Sequence, residues 1–507
     1  MSFISALRAR NLEYVVDRQL FKPIVPQNGK RFAELIKRIV DENLRVYVDY
    51  DCDPDGFFSF RILMKMFELC NFTNYTYTKH TVKRHVLSES FVWNLSQEKY
   101  DVVFILDSST NDMNAIKTLT DAGSIVCVVD HHESHYKFND YPPSAVIVNP
   151  RIDRLYQDVV YDCLSAGAVC SLLCAFTLKT VFNIQAPTDM FLYGVVTLYS
   201  DIMDLSNAYN IAFISRYMNT QLISSPVIKL FWNEAYDHFD SSYISFKLIP
   251  RLNALFRTEN FALLQKVFFS TEDLDYDALA EQIEEIYKYT KQYTEFLVSS
   301  CNVLFETPTL LTVCIPQQEK AYTRNFTGLV ANKFASAANK TTICFYDCSA
   351  QKYTGSVRDP FSRDIRVICS SCCYAEGHPA AFGIEISKSQ SNIVLPIISD
   401  AISALSQDNQ NLIIMNWDDN PDFKKDLQLM AEYNEFGGQG LPAALGALTI
   451  KPYFKIHRDP KKKMIYGDGE KFICFAPTVD TGDVMLIKPT LSGSDYKNIV
   501  NNVSLTD

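Results

Sequence analysis

The sequence contains no run of about 18 consecutive apolar residues, the length that a membrane-spanning helix requires. Its first residues, MSFISALRARNLEYVV, also lack the long apolar core of a secretory signal peptide. These two absences predict a cytoplasmic protein that has no membrane as a partner.

Glycine and low-complexity sequence are scarce as well. Only 17 of the 507 residues are glycine, and no low-complexity tract occurs. The composition, 47% hydrophobic and 21% charged, is typical of folded globular proteins, so extensive disorder is not expected. Because a chain of this length does not form one ordinary core, we expect several domains.

The 14 cysteines follow no regular framework, which excludes a disulfide scaffold and predicts reduced, mostly buried thiols. One cluster, Cys369, Cys372, Cys373 and His378, has the residue types of a zinc site. No second cysteine pair follows it at zinc-ribbon spacing, and this disfavours zinc.

An excess of positive charge is also absent, since the formal net charge is −11. This charge argues against a protein that coats nucleic acid through its whole surface, although it allows a local basic channel. It also suits a carboxylate-rich metal centre, whose ions would neutralise part of the charge.

Residues 30–205 alternate helical periodicity with short β-rich runs, a pattern that predicts a doubly wound α/β domain with a parallel sheet. In open sheets of this kind, sites gather at the carboxyl ends of the strands. Three apolar runs end in acid or histidine at such points: VYVDYDCDPDG, VFILDSST and VCVVDHHESH.

The rest of the chain predicts further modules. The stretch LDYDALAEQIEEIYKYTKQYTEFLVSS has apolar residues at helical spacing and is interpreted as a long connecting helix. A second, smaller α/β pattern follows, and the last stretch, from about residue 443, is β-rich with a hairpin expected around Gly467–Gly469. The expected segments are 1–30 (extension), 31–270 (first α/β domain with a helical part), 271–301 (connecting helix), 302–408 (second α/β domain) and 409–507 (linker helix and β-domain).

Candidate metal ligands cluster where the strands are expected to end. They are Asp49, Asp53, Asp55, Asp107, His131, His132 and Asp201. Carboxylate oxygen suits Mg²⁺ and Mn²⁺, and imidazole among the oxygens favours Mn²⁺. Two such ions would activate a water and stabilise charge on a phosphoryl group. Each acid also has a structural alternative, because aspartates at strand ends often cap helices.

Four short motifs occur in a recognisable order: DYDCDPDG, LDSS, DHH and SDIMDL. In this the chain resembles the DHH phosphoesterase superfamily, which includes manganese-dependent pyrophosphatases, oligonucleotide and cyclic-dinucleotide phosphodiesterases, and RecJ-type exonucleases. The resemblance implies that Asp53 and Asp55 each hold one metal ion and that Asp107 bridges both.

The same resemblance implies roles for the remaining residues of these motifs. His131 and Asp201 would complete the second metal site, His132 would lie near the attacking water, and Asp130 would orient the loop. Asp49, four residues before Asp53, stands where many members of the superfamily have histidine and is a candidate substitute ligand.

Later motifs resemble the RecJ branch and its DHHA1 domain. FKLIPRLNALFRTEN resembles the RecJ consensus PRxNAxGR, GLVANK, GSVRD and GHPAAFG resemble DHHA1 motifs, and EFGGQGLP resembles the sequence that leads into the RecJ OB-fold. The resemblance implies substrate contacts from these motifs and from a basic segment at 79–85. The candidate residues are Arg84, His85, Arg251, Asn253, Arg257, Ser356, Arg358, Gly377 and His378.

Each of these candidates has a simpler alternative. Arg358 could clamp a phosphate or form a surface salt bridge to a neighbouring Asp, and Arg251 and Arg257 allow the same two interpretations. GHPAAFG could be a tight turn, and the segment at 79–85 could be a solvated loop. RDPKKK, residues 458–463, could contact phosphate or protect a hairpin edge.

Taken together, the resemblance implies a RecJ-like exonuclease that hydrolyses single-stranded DNA from the 5′ end, releases mononucleotides and uses two Mn²⁺ or Mg²⁺ ions in a cleft between the DHH and DHHA1 domains. The expected partners are single-stranded DNA and other nucleic-acid-processing proteins, and the expected context is DNA repair or recombination. Two alternatives stay open: a phosphodiesterase for short oligonucleotides or cyclic dinucleotides, and a scaffold or binding protein that has lost the chemistry.

Overall fold

The computed structural model divides the chain into two compact units, one formed by residues 1–249 and 410–507 and the other by residues 250–409. It describes residues 2–16, 22–78, 87–152, 155–156, 159–218, 230, 241–270, 274–347, 349–405, 412–418, 423–437, 441, 443–458, 463–467, 470–474, 484–492 and 495–504. The two units are described separately below.

A five-stranded parallel sheet forms the centre of the first unit, with the strand order β2-β1-β3-β4-β5. Its inner strands are apolar and almost fully buried, as expected for a parallel sheet with both faces covered. The strands are β1 (Val46–Tyr50), β2 (Tyr75–Tyr77), β3 (Val102–Leu106), β4 (Ile125–Val129) and β5 (Val146–Val148).

Helices alternate with these strands and continue beyond them. They are α1 (Phe3–Arg8), α2 (Gly29–Glu42), α3 (Pro54–Leu69), α4 (Glu89–Glu98), α5 (Met113–Asp121), α6 (Ala166–Val181), α7 (Thr188–Ser200) and α8 (Ala208–Tyr217). A short ladder of β6 (Leu155–Tyr156) and β7 (Val159–Val160) precedes α6. The doubly wound parallel sheet expected from the alternating pattern is confirmed.

The second unit is a mixed sheet preceded by helices. Its helices are α9 (Ile249–Arg257, which begins one residue before the unit), α10 (Phe261–Phe269), α11 (Tyr276–Ser300), α12 (Thr327–Ala338), α13 (Arg366–Ser370) and α14 (Ser391–Ser403). Its strands are β8 (Asn302–Glu306), β9 (Leu310–Ile315), β10 (Thr341–Tyr346), β11 (Lys352–Arg358), β12 (Tyr374–His378) and β13 (Ala381–Ser387), in the order β12-β13-β11-β10-β9-β8. The long helix that the periodicity predicted is confirmed as the 25-residue helix α11, and its role as a connection between domains stays a prediction.

The C-terminal part of the first unit is β-rich, as expected. It contains a helix, α15 (Phe423–Asn434), and a seven-stranded sheet of the order β14-β15-β19-β20-β18-β17-β16, whose first strand precedes α15. Its strands are β14 (Leu412–Asn416), β15 (Ala443–Thr449), β16 (Lys455–Arg458), β17 (Lys463–Gly467), β18 (Glu470–Cys474), β19 (Val484–Ser492) and β20 (Asp495–Ser504). The expected hairpin is present, since β17 and β18 pair antiparallel with Gly467 opposite Glu470.

Within the first unit, the N-terminal helix α1 docks on α15. The ring of Phe3 packs edge-on against Tyr433 at a centroid distance of 5.6 Å, and the Phe3 N–H donates to Asp426 Oδ1 at 3.2 Å. In the described parts of the chain, no helix is both long and apolar enough to cross a membrane.

Candidate metal centre

The carboxyl ends of three neighbouring strands bring most of the candidate ligands together. The expectation that Asp201 follows a strand is wrong, because Asp201 is the C-cap of helix α7. Tyr50 of β1 pairs with Leu106 of β3, which in turn pairs with Val129 of β4. The turns that follow these strands therefore begin at the same level of one sheet edge, where the sites of open α/β sheets gather.

Three overlapping groups at this edge have side-chain ligand atoms that all lie within 4.8 Å of one another. They are Asp51 with Asp53 and Asp107, Asp107 with His131 and His132, and Asp55 with His131 and Asp201. Because Asp107 and His131 are each shared by two groups, the three groups form one continuous centre.

The imidazole of His131 lies at the middle of this centre. Its Nε2 atom is 3.5 Å from Asp55 Oδ2, 3.3 Å from Asp107 Oδ1 and 3.0 Å from Asp201 Oδ2. The His131 ring is only 2% exposed, whereas the Asp201 side chain, at the C-cap of α7, is 12% exposed. The centre is therefore largely buried, and its partly exposed members include Asp201 and His132, whose side chain is 16% exposed.

Helix termini hold the carboxylates Asp53 and Asp55. Asp53 is the N-cap of α3, and its Oδ1 accepts from the N–H groups of Asp55 and Gly56 at 3.0 and 3.1 Å. Both oxygens of Asp55 accept from the first turn of α6, from Ala166 at 2.9 Å and Gly167 at 2.8 Å. The positive end of α6 thus fixes the Asp55 carboxylate.

Two glycines allow this close packing. A Cβ at Gly56 would lie 2.4 Å from the backbone oxygen of Asp51, and one at Gly167 would lie 2.7 Å from the Thr197 side chain and 3.1 Å from Asp55 Oδ1. Because the Asp51 backbone and the buried Thr197 cannot move easily, a side chain at either glycine would displace a ligand of the centre.

Residues with left-handed backbone occur at the turns of the centre. Asp107 has φ 61°, Ser109 has φ 66°, and Ile202, directly after Asp201, has φ 53°. For a β-branched residue such as Ile202 this conformation is costly, and strain of this kind collects at functional sites.

Burial and mutual repulsion raise the pKa values of two buried carboxylates of the centre, Asp55 and Asp107. Burial, together with the charges of Asp201 and Asp53, raises the pKa of Asp55 to about 7, although His131 opposes this shift. Burial and the charge of Asp55 raise the pKa of Asp107 well above its usual range. Such a cluster of oxygen and imidazole donors fits hard divalent cations, whose charge would relieve this repulsion.

Asp130 organises the loop of the DHH motif rather than joining the metal groups. Its Oδ1 accepts from the N–H groups of His131 at 2.7 Å and His132 at 3.2 Å, and its Oδ2 accepts from Thr110 N–H at 3.1 Å. Burial acts to raise the pKa of Asp130, but the charge and hydrogen bond of His132 outweigh it, and the pKa lies below the usual range.

The same carboxylate orients His132. Asp130 Oδ1 is 2.7 Å from His132 Nδ1, so the ionised acid accepts from Nδ1–H and sets the tautomer and the orientation of the ring. Burial acts to lower the pKa of His132. The charge of Asp130 and this hydrogen bond act more strongly in the other direction, so the pKa of His132 lies above its usual value.

Sequence reasoning assigned no metal role to Asp51 and named Asp49 as a substitute ligand where many members of the superfamily have histidine. Asp49 lies within β1, where it pairs with Ile105, and it belongs to none of the three groups, whereas Asp51 follows the strand and joins Asp53 and Asp107. Asp51 could have been identified from the sequence by its position just after the apolar run that forms β1. The role of Asp49 as a ligand stays a prediction.

Two further residues support the DHH loop. Asn149 donates through Nδ2 to His132 O and Thr110 Oγ1, both at 2.9 Å, and its Oδ1 accepts from Arg151 N–H at 2.7 Å. The Nε–H of Arg151 donates to His131 O at 3.3 Å. Both residues directly follow β5, the next strand of the sheet. The rule that sites gather at the carboxyl ends of parallel strands could therefore have identified them from the sequence.

Residues 43–190, which carry most of this centre, match the model of the DHH family, N-terminal domain. This part of the chain is a DHH-family domain. The match contains three of the four motifs that carry the resemblance, and SDIMDL, residues 200–205, lies beyond it.

Relatives of the DHH domain extend the likeness along the chain. The single-stranded-DNA-specific exonuclease RecJ of Bacillus subtilis (strain 168) is 19% identical over 394 residues, which is 76% of this chain and 49% of that protein. The chain therefore spans about half the length of that RecJ. YorK, a putative single-strand DNA-specific exonuclease of the SPbeta prophage in the same bacterium, is 22% identical over 425 residues, 76% of this chain and 71% of YorK.

A solved structure shares the fold. RecJ from Thermus thermophilus in complex with Mn²⁺ superposes with a TM-score of 0.77 at 15% sequence identity, over 99% of this chain and 75% of that one. At this identity the likeness establishes a RecJ-like fold.

Outside the DHH domain, the second unit contains a partly buried arginine, Arg358, which ends strand β11 and whose guanidinium lies beside the start of helix α12. A Cβ at Gly328, in the first turn of α12, would lie 2.5 Å from Arg358 Nη2, and Arg358 Nη1–H donates to Val357 O at 2.7 Å. Ser356 Oγ lies 2.9 Å from Thr327 Oγ1. Burial lowers the pKa of Arg358 to about 10, and the neighbouring Asp359 pairs with Arg363 instead.

The remaining predicted substrate residues have varied surroundings. Arg251 forms an ion pair with Glu284 at 2.5 Å, which is the structural alternative foreseen for it. Asn253 and Arg257 lie on α9, and Gly377 and His378 end β12, where Gly377 has φ 129°. The substrate roles of these residues stay predictions, and Arg84 and His85 lie outside the described residues.

The cysteine cluster forms no metal group within the described residues. Neither Cys369, Cys372, Cys373 nor His378 belongs to any group of ligand atoms within reach of one another. Burial raises the pKa of Cys373 to about 12, as expected of a structural thiol.

Proposed function

We propose that the protein is a metal-dependent nuclease that hydrolyses phosphodiester bonds in single-stranded DNA. The observation that carries this proposal is the continuous centre at the strand ends of the DHH domain, in which Asp107 and His131 each belong to two ligand groups. The similarity to single-stranded-DNA-specific exonucleases supports the choice of substrate.

The residues that would hold the metal are Asp51, Asp53, Asp55, Asp107, His131 and Asp201. Divalent ions bound there would polarise a water and neutralise charge on the phosphoryl group. The neighbouring fold of Thermus thermophilus RecJ has been solved with Mn²⁺ and with Mg²⁺, which supports these two ions as the choice, and two ions per site is the number we propose.

His132 is proposed to handle a proton during hydrolysis. Asp130 fixes its Nδ1–H, so Nε2 is the atom that would accept or donate a proton at the reacting group. Since Asp130 also holds the backbone N–H groups of both histidines, it acts as a positioning residue for His131 and His132 together.

In the second unit, Arg358 and Ser356 are proposed to bind a phosphate of the DNA strand. Arginine binds phosphate bidentately, and the N-terminus of α12 beside it favours negative charge. The direction of digestion that we propose is from the 5′ end, with mononucleotides as products.

A nuclease assay tests the proposal. We expect Mn²⁺-dependent release of mononucleotides from end-labelled single strands, inhibition by a 5′ block but not by a 3′ block, and no release in EDTA. Blunt duplex of the same sequence is the control. The proposal is contradicted if the duplex is cleaved as fast as the single strand, or if the single strand is not cleaved at all. A substrate series from dinucleotide to long strand separates it from the short-oligonucleotide phosphodiesterase, which would prefer the shortest substrates.

A further inference from the structure

A partly exposed row of aromatic rings runs along helix α11. Tyr289, Tyr293 and Phe296 have spacings of four and three residues, which places them on one face of the helix. The rings of Tyr289 and Tyr293 lie 5.7 Å apart at 14°, and those of Tyr293 and Phe296 lie 5.9 Å apart at 20°. Tyr293 packs against the buried core of the second unit, but Tyr289 is partly exposed and Phe296 is 51% exposed, so core packing does not explain the whole row.

A neighbouring segment adds one more ring and two cations. Tyr322 lies 6.2 Å from Tyr293, and Lys320 Nζ lies 4.6, 5.4 and 5.7 Å from the ring centroids of Tyr289, Tyr293 and Tyr322. Arg324 follows on the same segment and is exposed. Among the residues that the structure describes, neither Lys320 nor Arg324 forms a salt bridge with a carboxylate. We call Tyr289, Tyr293, Phe296, Lys320, Tyr322 and Arg324 the tyrosine track.

A cavity of about 300 Å³ opens at one end of the tyrosine track. Tyr289 and Tyr322 form two of its walls, and Asn260 and Glu285 supply polar groups. A cavity of this size is at the lower end of the range for ligand pockets.

We propose that the tyrosine track binds single-stranded nucleic acid, with bases stacked on its rings and phosphates held by Lys320 and Arg324. Aromatic platforms interleaved with cations are the chemistry by which proteins hold single strands without sequence preference. The chain has a net charge of −11, but Lys320 and Arg324 form no salt bridge among the described residues and lie beside partly exposed rings. Their positive charge complements an anionic strand. This inference rests on the proposed nuclease function and adds a second contact surface for its substrate.

Binding of a fluorescent single-stranded oligonucleotide, measured by anisotropy in EDTA so that no cleavage occurs, tests the inference. We expect Tyr289→Ala and Phe296→Ala each to raise the Kd roughly tenfold, since one stacked base is lost. Tyr289→Phe should restore binding because it keeps the ring. Lys320→Ala should lower the slope of log K against log salt by about one.

Trp93→Ala is the control, because Trp93 is also an exposed ring, at 63%, but lies on α4 in the first unit and outside the tyrosine track. Its Kd should stay within about twofold of wild type. If Tyr289→Ala and Phe296→Ala bind the oligonucleotide as tightly as wild type, the inference is wrong and the proposed nuclease function is unaffected. The tyrosine track would then be a surface for a protein ligand. Wild type that binds no oligonucleotide would overturn the proposed function as well.

Discussion

Asp107→Asn should abolish metal-dependent cleavage, with a loss in rate of roughly a thousandfold or more. Asp107 belongs to two of the three ligand groups, so its replacement weakens the whole centre. Charge stabilisation by bound metal is worth several kcal/mol, and each ~1.4 kcal/mol is a factor of ten in rate.

The same substitution should have an opposite effect on the metal-free protein. Because Asp107 is buried beside Asp55, removal of its charge lessens repulsion and should raise the unfolding temperature in EDTA. Mn²⁺ at 100 times its Kd should stabilise wild type by about 2.7 kcal/mol and the variant by much less. Scanning calorimetry with and without Mn²⁺ measures both effects.

Asp101→Asn is the control for this experiment. Asp101 is exposed and precedes β3 at its amino end, whereas Asp107 follows the carboxyl end of the same strand. Its carboxylate accepts from Arg45 N–H at 2.7 Å, a bond that asparagine can keep. An Asp107→Asn protein that cleaves single strands within tenfold of wild type would remove the basis of the proposed function.

Asp51→Asn should weaken Mn²⁺ binding by at least tenfold, and Asp49→Asn should change it much less. Asp51 lies with Asp53 and Asp107 in one ligand group, and Asp49 lies in none. Loss of groups at a metal site typically costs ten- to a hundredfold in affinity, even for residues that only support the ligands. Titration calorimetry with Mn²⁺ gives both values.

The two variants serve as controls for each other, because both carboxylates are buried, at 3% and 2% exposure for Asp51 and Asp49. A general effect of removing a buried charge would therefore appear in both. If Asp49→Asn lost binding while Asp51→Asn kept it, the assignment made from the sequence would stand and the grouping seen in the structure would not.

Much of the candidate site follows from the sequence because of one topological rule. Parallel strands present their carboxyl ends at one edge, so Asp55, Asp107 and His131 could be placed together before any coordinates were known. The long helix α11 could also be predicted from the sequence, since its apolar residues recur at helical spacing.

The choice between Asp49 and Asp51 depends on where strand β1 ends. Asp49 is named from the superfamily pattern, whereas pairing with β3 extends β1 to Tyr50, so that Asp51 follows the strand and joins Asp53 and Asp107. Sequence patterns locate the ends of elements poorly, so the residue that follows the strand could not be identified in advance.

The features that could not be predicted from the sequence depend on contacts between residues that are far apart along the chain. The surface salt bridge foreseen as the alternative for Arg358 does not form with Asp359, because Asp359 accepts from Arg363 at 2.8 Å and from Thr341 at 2.6 Å. Likewise, the β-rich C-terminal region was expected, but the parallel pairing of β18 with β20 joins strands that are distant along the chain. No local pattern encodes these contacts.

The most direct measurement is an anomalous difference map from crystals grown with Mn²⁺, recorded at the manganese absorption edge. Bound manganese should give peaks in contact with Asp107 and His131, one beside Asp53 and one beside Asp201. A map with no peak at this strand edge, or with manganese bound only elsewhere on the chain, would contradict the metal centre and with it the proposed nuclease.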